Sequence, residues 1–362
     1  MEEFASYFRQ IRALRDKITD PSLGPVKVAV IDDGADITHP DLKDAVIPGK
    51  SFHHYLDGST WRVSPYWDSP CGHGTLMARL ILRICPSASI HVIKLQTVVG
   101  VGSENLHVDP DSAREVNLPR SSSLSVTDNF RQAIEYATKL RAHIISMSWT
   151  IKPPSDPTKK QAFDYAIHSA LNEHNILIFC AASDHGKSAD RTYPHASNPN
   201  SFRIGAARST GSLLDQVSDS DGLSFLFPGH DVVVDRAYED AQLREFEAHT
   251  GSSVACALAT GLAALIIECV RLGVFYTNET TQRDPSVAIR SDDLVKIREL
   301  RQMEYALKSI GTDRNTNNRY IEVWDTFSDV ADKLKNNEGD RLGQLEAIAG
   351  IARVFLRKGV WV

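Results

Sequence analysis

Val26-Lys27-Val28-Ala29-Val30-Ile31-Asp32-Asp33-Gly34 is a short apolar, β-branched run that stops at an acidic turn. A run of this length and composition predicts a strand buried on both faces. The pattern recurs at Ile90–Leu95 (IHVIKL), His143–Met147 (HIISM) and Ile176–Cys180 (ILIFC). Helical spacing over Phe130–Leu140, with Ala133, Ala137 and Leu140 on one face, and over Phe163–Asn172 places helices between the strands. Strands alternating with helices imply an α/β fold in three layers. A mostly parallel central sheet is then covered by helices on both faces. In such sheets ligands sit beyond the carboxyl ends of the strands. Asp32, Ser148–Thr150 and Asp184 all fall at such ends.

Composition narrows the function. The 362 residues carry 40 Lys and Arg against 46 Asp and Glu, a net charge of −6. That balance excludes a polycationic nucleic-acid wrapper and gives no pull toward anionic membranes. No nucleic-acid or membrane partner is expected. A chain that is 42% hydrophobic and 24% charged is a soluble globular protein rather than a disordered one. Five cysteines, an odd number without a CxxC pair, read as free thiols of a reducing compartment. The most apolar run, Val254–Ile267, has fourteen residues. A membrane span needs about 20. The start, Met1–Phe4, is acidic and lacks the basic stretch and apolar core of a signal peptide. The expected location is cytoplasmic.

Phe4, Tyr7, Phe8, Ile11, Leu14 and Ile18 form one apolar helical stripe, broken at Asp20-Pro21 and Gly24-Pro25. Gln96–Asp128 has no period and reads as a long surface loop, and Thr277–Asp292 as a second polar loop. Leu294–Ile310 suits a helix, and a last helix spans Leu342–Leu356. The expected organisation is an N-terminal amphipathic helix (1–24), one large α/β domain (25–327) and a C-terminal helical extension (328–362). The extension either docks on the domain or recruits a protein partner. No cofactor or metal is expected. Ala29–Ala35 lacks the three glycines of a dinucleotide fingerprint, and His53-His54 with Asp57 matches no zinc spacing.

Three local patterns carry chemistry. Asp32-Asp33-Gly34 closes the first strand, Gly72-His73-Gly74-Thr75 opens a helix, and Gly251-Ser252-Ser253-Val254-Ala255 opens an apolar helix. A serine is a poor nucleophile until an imidazole takes its proton. The imidazole needs a buried carboxylate to fix its tautomer and stabilise its charged form. Ser253 at a helix start also offers its N–H toward an oxyanion. The chain order Asp, His, Ser is that of subtilisin and differs from two other hydrolase orders.

With these boxes the sequence resembles the subtilase family of subtilisin-like serine proteases. VAVIDDGADITHPDL is similar to the family's Asp box, CGHGTLMA to its His box and HTGSSVACALATGLAAL to its Ser box. CPSASIHVIKL and IISMSW are similar to two further strand segments, so the resemblance runs from about Val26 to Leu272. It implies a serine endopeptidase with Asp32, His73 and Ser253 as the catalytic triad and a polypeptide substrate extended along Ser148, Trp149 and Thr150. Ser183 would lie beside the primary specificity pocket.

Departures from the family pattern bear on activity. The family has Asn where this chain has Asp184, and that Asn donates a hydrogen bond to the oxyanion. In subtilisin, loss of that donor costs on the order of 10²–10³ in turnover. An ionised Asp accepts but cannot donate, whereas a buried, protonated one can. A prohormone convertase branch of the family also has Asp there. Ser252 replaces Thr, Ala257 replaces Pro and Leu76 replaces His. Thr150 and Ser183 replace glycines, adding bulk where a peptide would lie. His73 to Pro86 leaves no room for the family's calcium loop, so Asp41, which matches a calcium ligand, reads as a turn or cap. About 25 residues before the first strand are too few for a folding prodomain. The N-terminal helix then reads as a brace or a short inhibitory segment. The alternative to a protease is a pseudoprotease that binds partners without cutting, as a module of a larger signalling protein.

Overall fold

The computed structural model describes residues 4–7, 23–43, 45–96, 98–99, 106–107, 126–186, 192–218, 222–235, 246–281 and 284–358. In the expected N-terminal helix, residues 4–7 are helical; residues 8–22 lie outside the described residues. Most of the expected loop at 96–128 also lies outside them.

Along the chain come β1 (Lys27–Asp32), β2 (Val46–Ser51), the hairpin β3 (His54–Asp57) and β4 (Thr60–Val63), and α1 (His73–Ile84). Next are β5 (Ser89–Lys94), the short antiparallel pair β6 (Val98–Val99) and β7 (Leu106–His107), α2 (Val126–Lys139), β8 (Ile144–Met147) and α3 (Pro157–His168). They are followed by β9 (Leu177–Ala181), β10 (Phe202–Ala207), β11 (Phe225–Pro228), the antiparallel pair β12 (Val232–Asp235) and β13 (Phe246–His249), and α4 (Ser252–Glu279). Last come α5 (Ser291–Lys296), α6 (Leu300–Ile310), α7 (Trp324–Asn336) and α8 (Arg341–Leu356).

Seven strands form one parallel sheet in the order β11-β10-β9-β8-β1-β5-β2, with helices around it. The three-layer α/β reading holds. Buried residues fill β8 and β9 and all but the first position of β1, which is why these strands read as largely apolar runs. On one face Ala29, Ile31, Ile145, Met147 and Ile178 share an apolar cluster with Phe130 and Ile134 of α2 and Phe163 and Ile167 of α3. The alternate residues Val28, Val30, Ile144, Leu177 and Phe179 point the other way and are also buried. Asp156 caps α3 by accepting the Thr158 amide at 2.8 Å, and Pro157 takes the first helical position, where no amide donor is needed.

The chain forms two compact units. One contains Lys27–Leu80 and Ile90–Ala259; the other contains Met1–Val26, Ile81–Ser89 and Thr260–Val362. In the second unit Phe4 packs against Phe327 with ring centroids 4.9 Å apart. Glu268 and Arg271 form a buried ion pair, and Arg271 Nη1 donates to the Leu23 carbonyl at 2.8 Å. The final helix is anchored through buried Leu345, Ile348, Ala352 and Phe355.

Two expectations change. The helix expected over Leu294–Ile310 is broken after Lys296 into α5 and α6. The apolar run of fourteen residues belongs to a helix of 28 residues, long and apolar enough to cross a membrane by length and composition alone. In its most apolar window 89% of the residues are buried within the protein, as in the core helix of a globular fold.

Candidate active site

β1 delivers Asp32 to the carboxyl edge of the sheet, where it is 1% exposed. Its Oδ1 accepts the Asp33 amide at 2.8 Å and lies 2.8 Å from His73 Nδ1. Its Oδ2 is buried with no protein partner among the described residues. A buried carboxylate so poorly solvated gains strongly from a positive charge beside it. His73 is the first residue of α1, with a side chain 10% exposed. Burial works against the charged imidazole. The Asp32 charge, the Asp32 hydrogen bond and the Asp33 charge outweigh it, and the His73 pKa lies above the ordinary imidazole value. Asp32 thus fixes the Nδ1–H tautomer and leaves Nε2 as the basic nitrogen.

Two glycines let the loops meet. Gly34 has φ +108°, and a Cβ there would lie 2.1 Å from the Asp68 carbonyl oxygen. A Cβ on Gly74 would lie 2.0 Å from the Gly34 carbonyl oxygen. Only a hydrogen fits at either place. The loop before α1 is tied in further: the Ala35 amide donates to the Tyr66 carbonyl at 2.9 Å, and buried Lys94 donates to the Asp68 carbonyl at 2.6 Å.

Ser253 is the second residue of α4 and is half-buried. The first amides of a helix have no intrahelical acceptor. That of Ser252 is taken by Asp184 Oδ2 at 2.7 Å, while Asp184 Oδ1 accepts the Ser252 hydroxyl at 2.6 Å. The hydroxyl in turn accepts the Ala206 amide at 3.2 Å, so it is committed to donate toward Asp184. The carboxyl at the family's Asn position is therefore a cap on the serine-bearing helix. Burial raises the Asp184 pKa above the usual carboxylate range, although the Ser252 hydrogen bonds and His185 pull the other way.

The strand end after β8 is also buried. Ser148 is 3% exposed, and its hydroxyl lacks a protein partner among the described residues. The Trp149 ring lies in the core against Phe130, centroids 4.8 Å apart, and its Nε1 donates to the Ile31 carbonyl at 2.6 Å. The Trp149 side chain is thus committed to the core. Thr150 is partly exposed; the next residue, Ile151, pairs with Tyr193. Ser183, 5% exposed, accepts the Ser218 amide on its carbonyl at 2.8 Å. Asp41, the residue matching a calcium ligand, accepts Arg79 Nε at 2.8 Å. The sequence alone assigns no role to Asp33 or Ser252. The doubled Asp-Asp was the one visible signal for the first, and nothing local signals the second.

Fold and site together are those of an α/β enzyme working at the carboxyl edge of a parallel sheet. The subtilase family profile matches residues 24–291, and the chain belongs to that family of serine-type peptidases. It is 28% identical over 255 residues to the major intracellular serine protease of Bacillus subtilis, a match covering 67% of this chain and 68% of that one. It is 27% identical over 255 residues to an intracellular serine protease of Paenibacillus polymyxa, covering 67% and 66%. The crystal structure of a lanthipeptide protease shares the fold with a TM-score of 0.56 at 19% identity, covering 90% of this chain and 93% of that one.

Proposed function

We propose that this chain is an intracellular serine endopeptidase acting through Asp32, His73 and Ser253. The observation that carries the reading is the 2.8 Å contact between a buried Asp32 and His73 at the sheet edge, within a subtilase-family chain that bears Ser253 at a helix start. Ser253 Oγ attacks the scissile carbonyl as His73 Nε2 takes its proton. The tetrahedral oxyanion is met by the Ser253 N–H and the positive end of α4. Collapse breaks the C–N bond, and His73 returns the proton to the leaving amine. Water then repeats the sequence on the acyl-enzyme. The polypeptide substrate lies extended along Ser148–Thr150, beside Ser183, pairing as an added strand. Relatives named as intracellular proteases and the free cysteines support a cytoplasmic setting.

The test is covalent labelling by a fluorophosphonate probe, comparing wild type with Ser253→Ala. Labelling of wild type alone supports the reading. No labelling where a control subtilase labels would sink it. The Asp184–Ser252 contact favours a second reading, a pseudoprotease that binds peptides without cutting. Peptide binding with no product by mass spectrometry supports that reading, and repeated turnover excludes it.

A further inference from the structure

The residue after Asp32 is more heavily connected than Asp32 itself. Asp33 is 0% exposed. Its Oδ1 accepts the Ser69 hydroxyl and the Gly74 amide, both at 2.8 Å, and its Oδ2 accepts the Cys71 amide at 3.1 Å. Donors from three points of the 69–74 segment thus converge on one carboxylate. One of them, Gly74, belongs to the first turn of α1 and adjoins His73. Burial and the Asp32 charge raise the Asp33 pKa, while its three hydrogen bonds and the helix dipole pull the other way. The titratable and charged groups around Asp33 are Asp32 at the end of its own strand, Cys71 on the loop and His73 on α1; Lys94 on β5 acts on the same loop through Cys71.

We propose that Asp33 is a positioning residue for His73: it fastens the loop and first turn of α1 to the end of β1, so that the imidazole meets Asp32, and it adds a second negative charge behind the imidazolium. A neutral residue could satisfy part of the hydrogen bonding, since a serine hydroxyl and an amide need only an acceptor. The charge is what a neutral residue cannot replace. The proposal rests on reading Asp32 and His73 as the catalytic pair.

The test is Asp33→Asn in the full chain, with two readouts. The first is kcat, KM and the pH profile of kcat/KM on a peptide substrate. The second is NMR titration of His73 and its low-field Nδ1 proton, which needs no turnover. The proposal expects kcat to fall by about tenfold to a hundredfold with KM within about twofold. It also expects the His73 titration to move to lower pH. Wild-type values for kcat and for the titration would overturn it. If wild type neither labels nor turns over, the functional reading fails, while an unmoved titration and Nδ1 proton in the variant still refute the positioning role. If Asp33→Asn fails to fold, Ser69→Ala removes one donor and keeps the charge. It is expected to lower kcat several-fold at constant KM and to broaden the Nδ1 resonance. No change in either refutes the proposal.

Discussion

Asp184 accepts both the amide N–H and the hydroxyl of Ser252, at 2.7 and 2.6 Å, one residue before Ser253. A carboxylate in this place does two opposing things. It stabilises the start of α4 as a cap. It also sets negative charge beside the place where an oxyanion would develop, which electrostatics disfavours.

Asp184→Asn separates the two effects. The amide can keep one acceptor for Ser252 and offer a donor to the oxyanion. We expect kcat on a peptide substrate to rise by about tenfold or more. Weakening of the cap should cost about 1 kcal/mol, a fall of about 1–2 °C in melting temperature for a chain of this size. A large loss of kcat at unchanged melting temperature would mean that the carboxylate itself serves the reaction.

His73 sets a pH dependence whose sign follows from its environment. Its pKa is raised above the ordinary value of 6.5. The general base must be neutral, so the acid limb of kcat/KM should lie above pH 6.5. The stabilisation from charged His73 beside Asp32 is complete below pH 6.5 and is lost as pH rises through the raised value. Denaturant melts across that window should show the loss in wild type and not in His73→Ala. An acid limb below pH 6 would contradict the assignment.

Trp149→Phe removes one buried hydrogen bond together with part of the ring volume. The ring can still pack on Phe130, but the Ile31 carbonyl loses its indole donor. The cost of an abandoned buried acceptor is about 1–3 kcal/mol. Urea denaturation should read this as a lower midpoint at unchanged slope. A shift below about 0.5 kcal/mol would show that the bond is replaced locally.

Gly74→Ala tests the interlock of the two loops. The new methyl would meet the Gly34 carbonyl oxygen at 2.0 Å, so the start of α1 must move away from β1. Displacement of His73 by about 1 Å costs on the order of a hundredfold in rate. We expect fluorophosphonate labelling to slow by at least that factor. Wild-type labelling would show that the loops are not tightly joined here.

The central strands are legible because burial on both faces favours apolar, β-branched runs: β1, β8 and β9 are mostly apolar, and β5 keeps Ile90, Val92 and Ile93 around His91. β10 is not, since Arg203 and Gly205 interrupt Phe202–Ala207 although every residue there is buried. β11 is a four-residue strand ending in Pro228, too short to give a period. Asp32, His73 and Ser253 were visible as ordered motifs. The connections of Asp33 and Ser252 were not. Their partners are backbone amides and residues far along the chain, which leave no local pattern. Trp149 was placed with the substrate strand by resemblance; burial alone puts its ring in the core.

The contacts that assemble the site are all distant in sequence: 41 residues between Asp32 and His73, 68 between Asp184 and Ser252, 118 between Ile31 and Trp149. Contacts of that separation form late, after loop-closure entropy has been overcome. An unfolded chain therefore holds every reactive side chain but no working constellation. For a peptidase this is a safeguard in time: the blade is sheathed while its own polypeptide is extended and most easily cut.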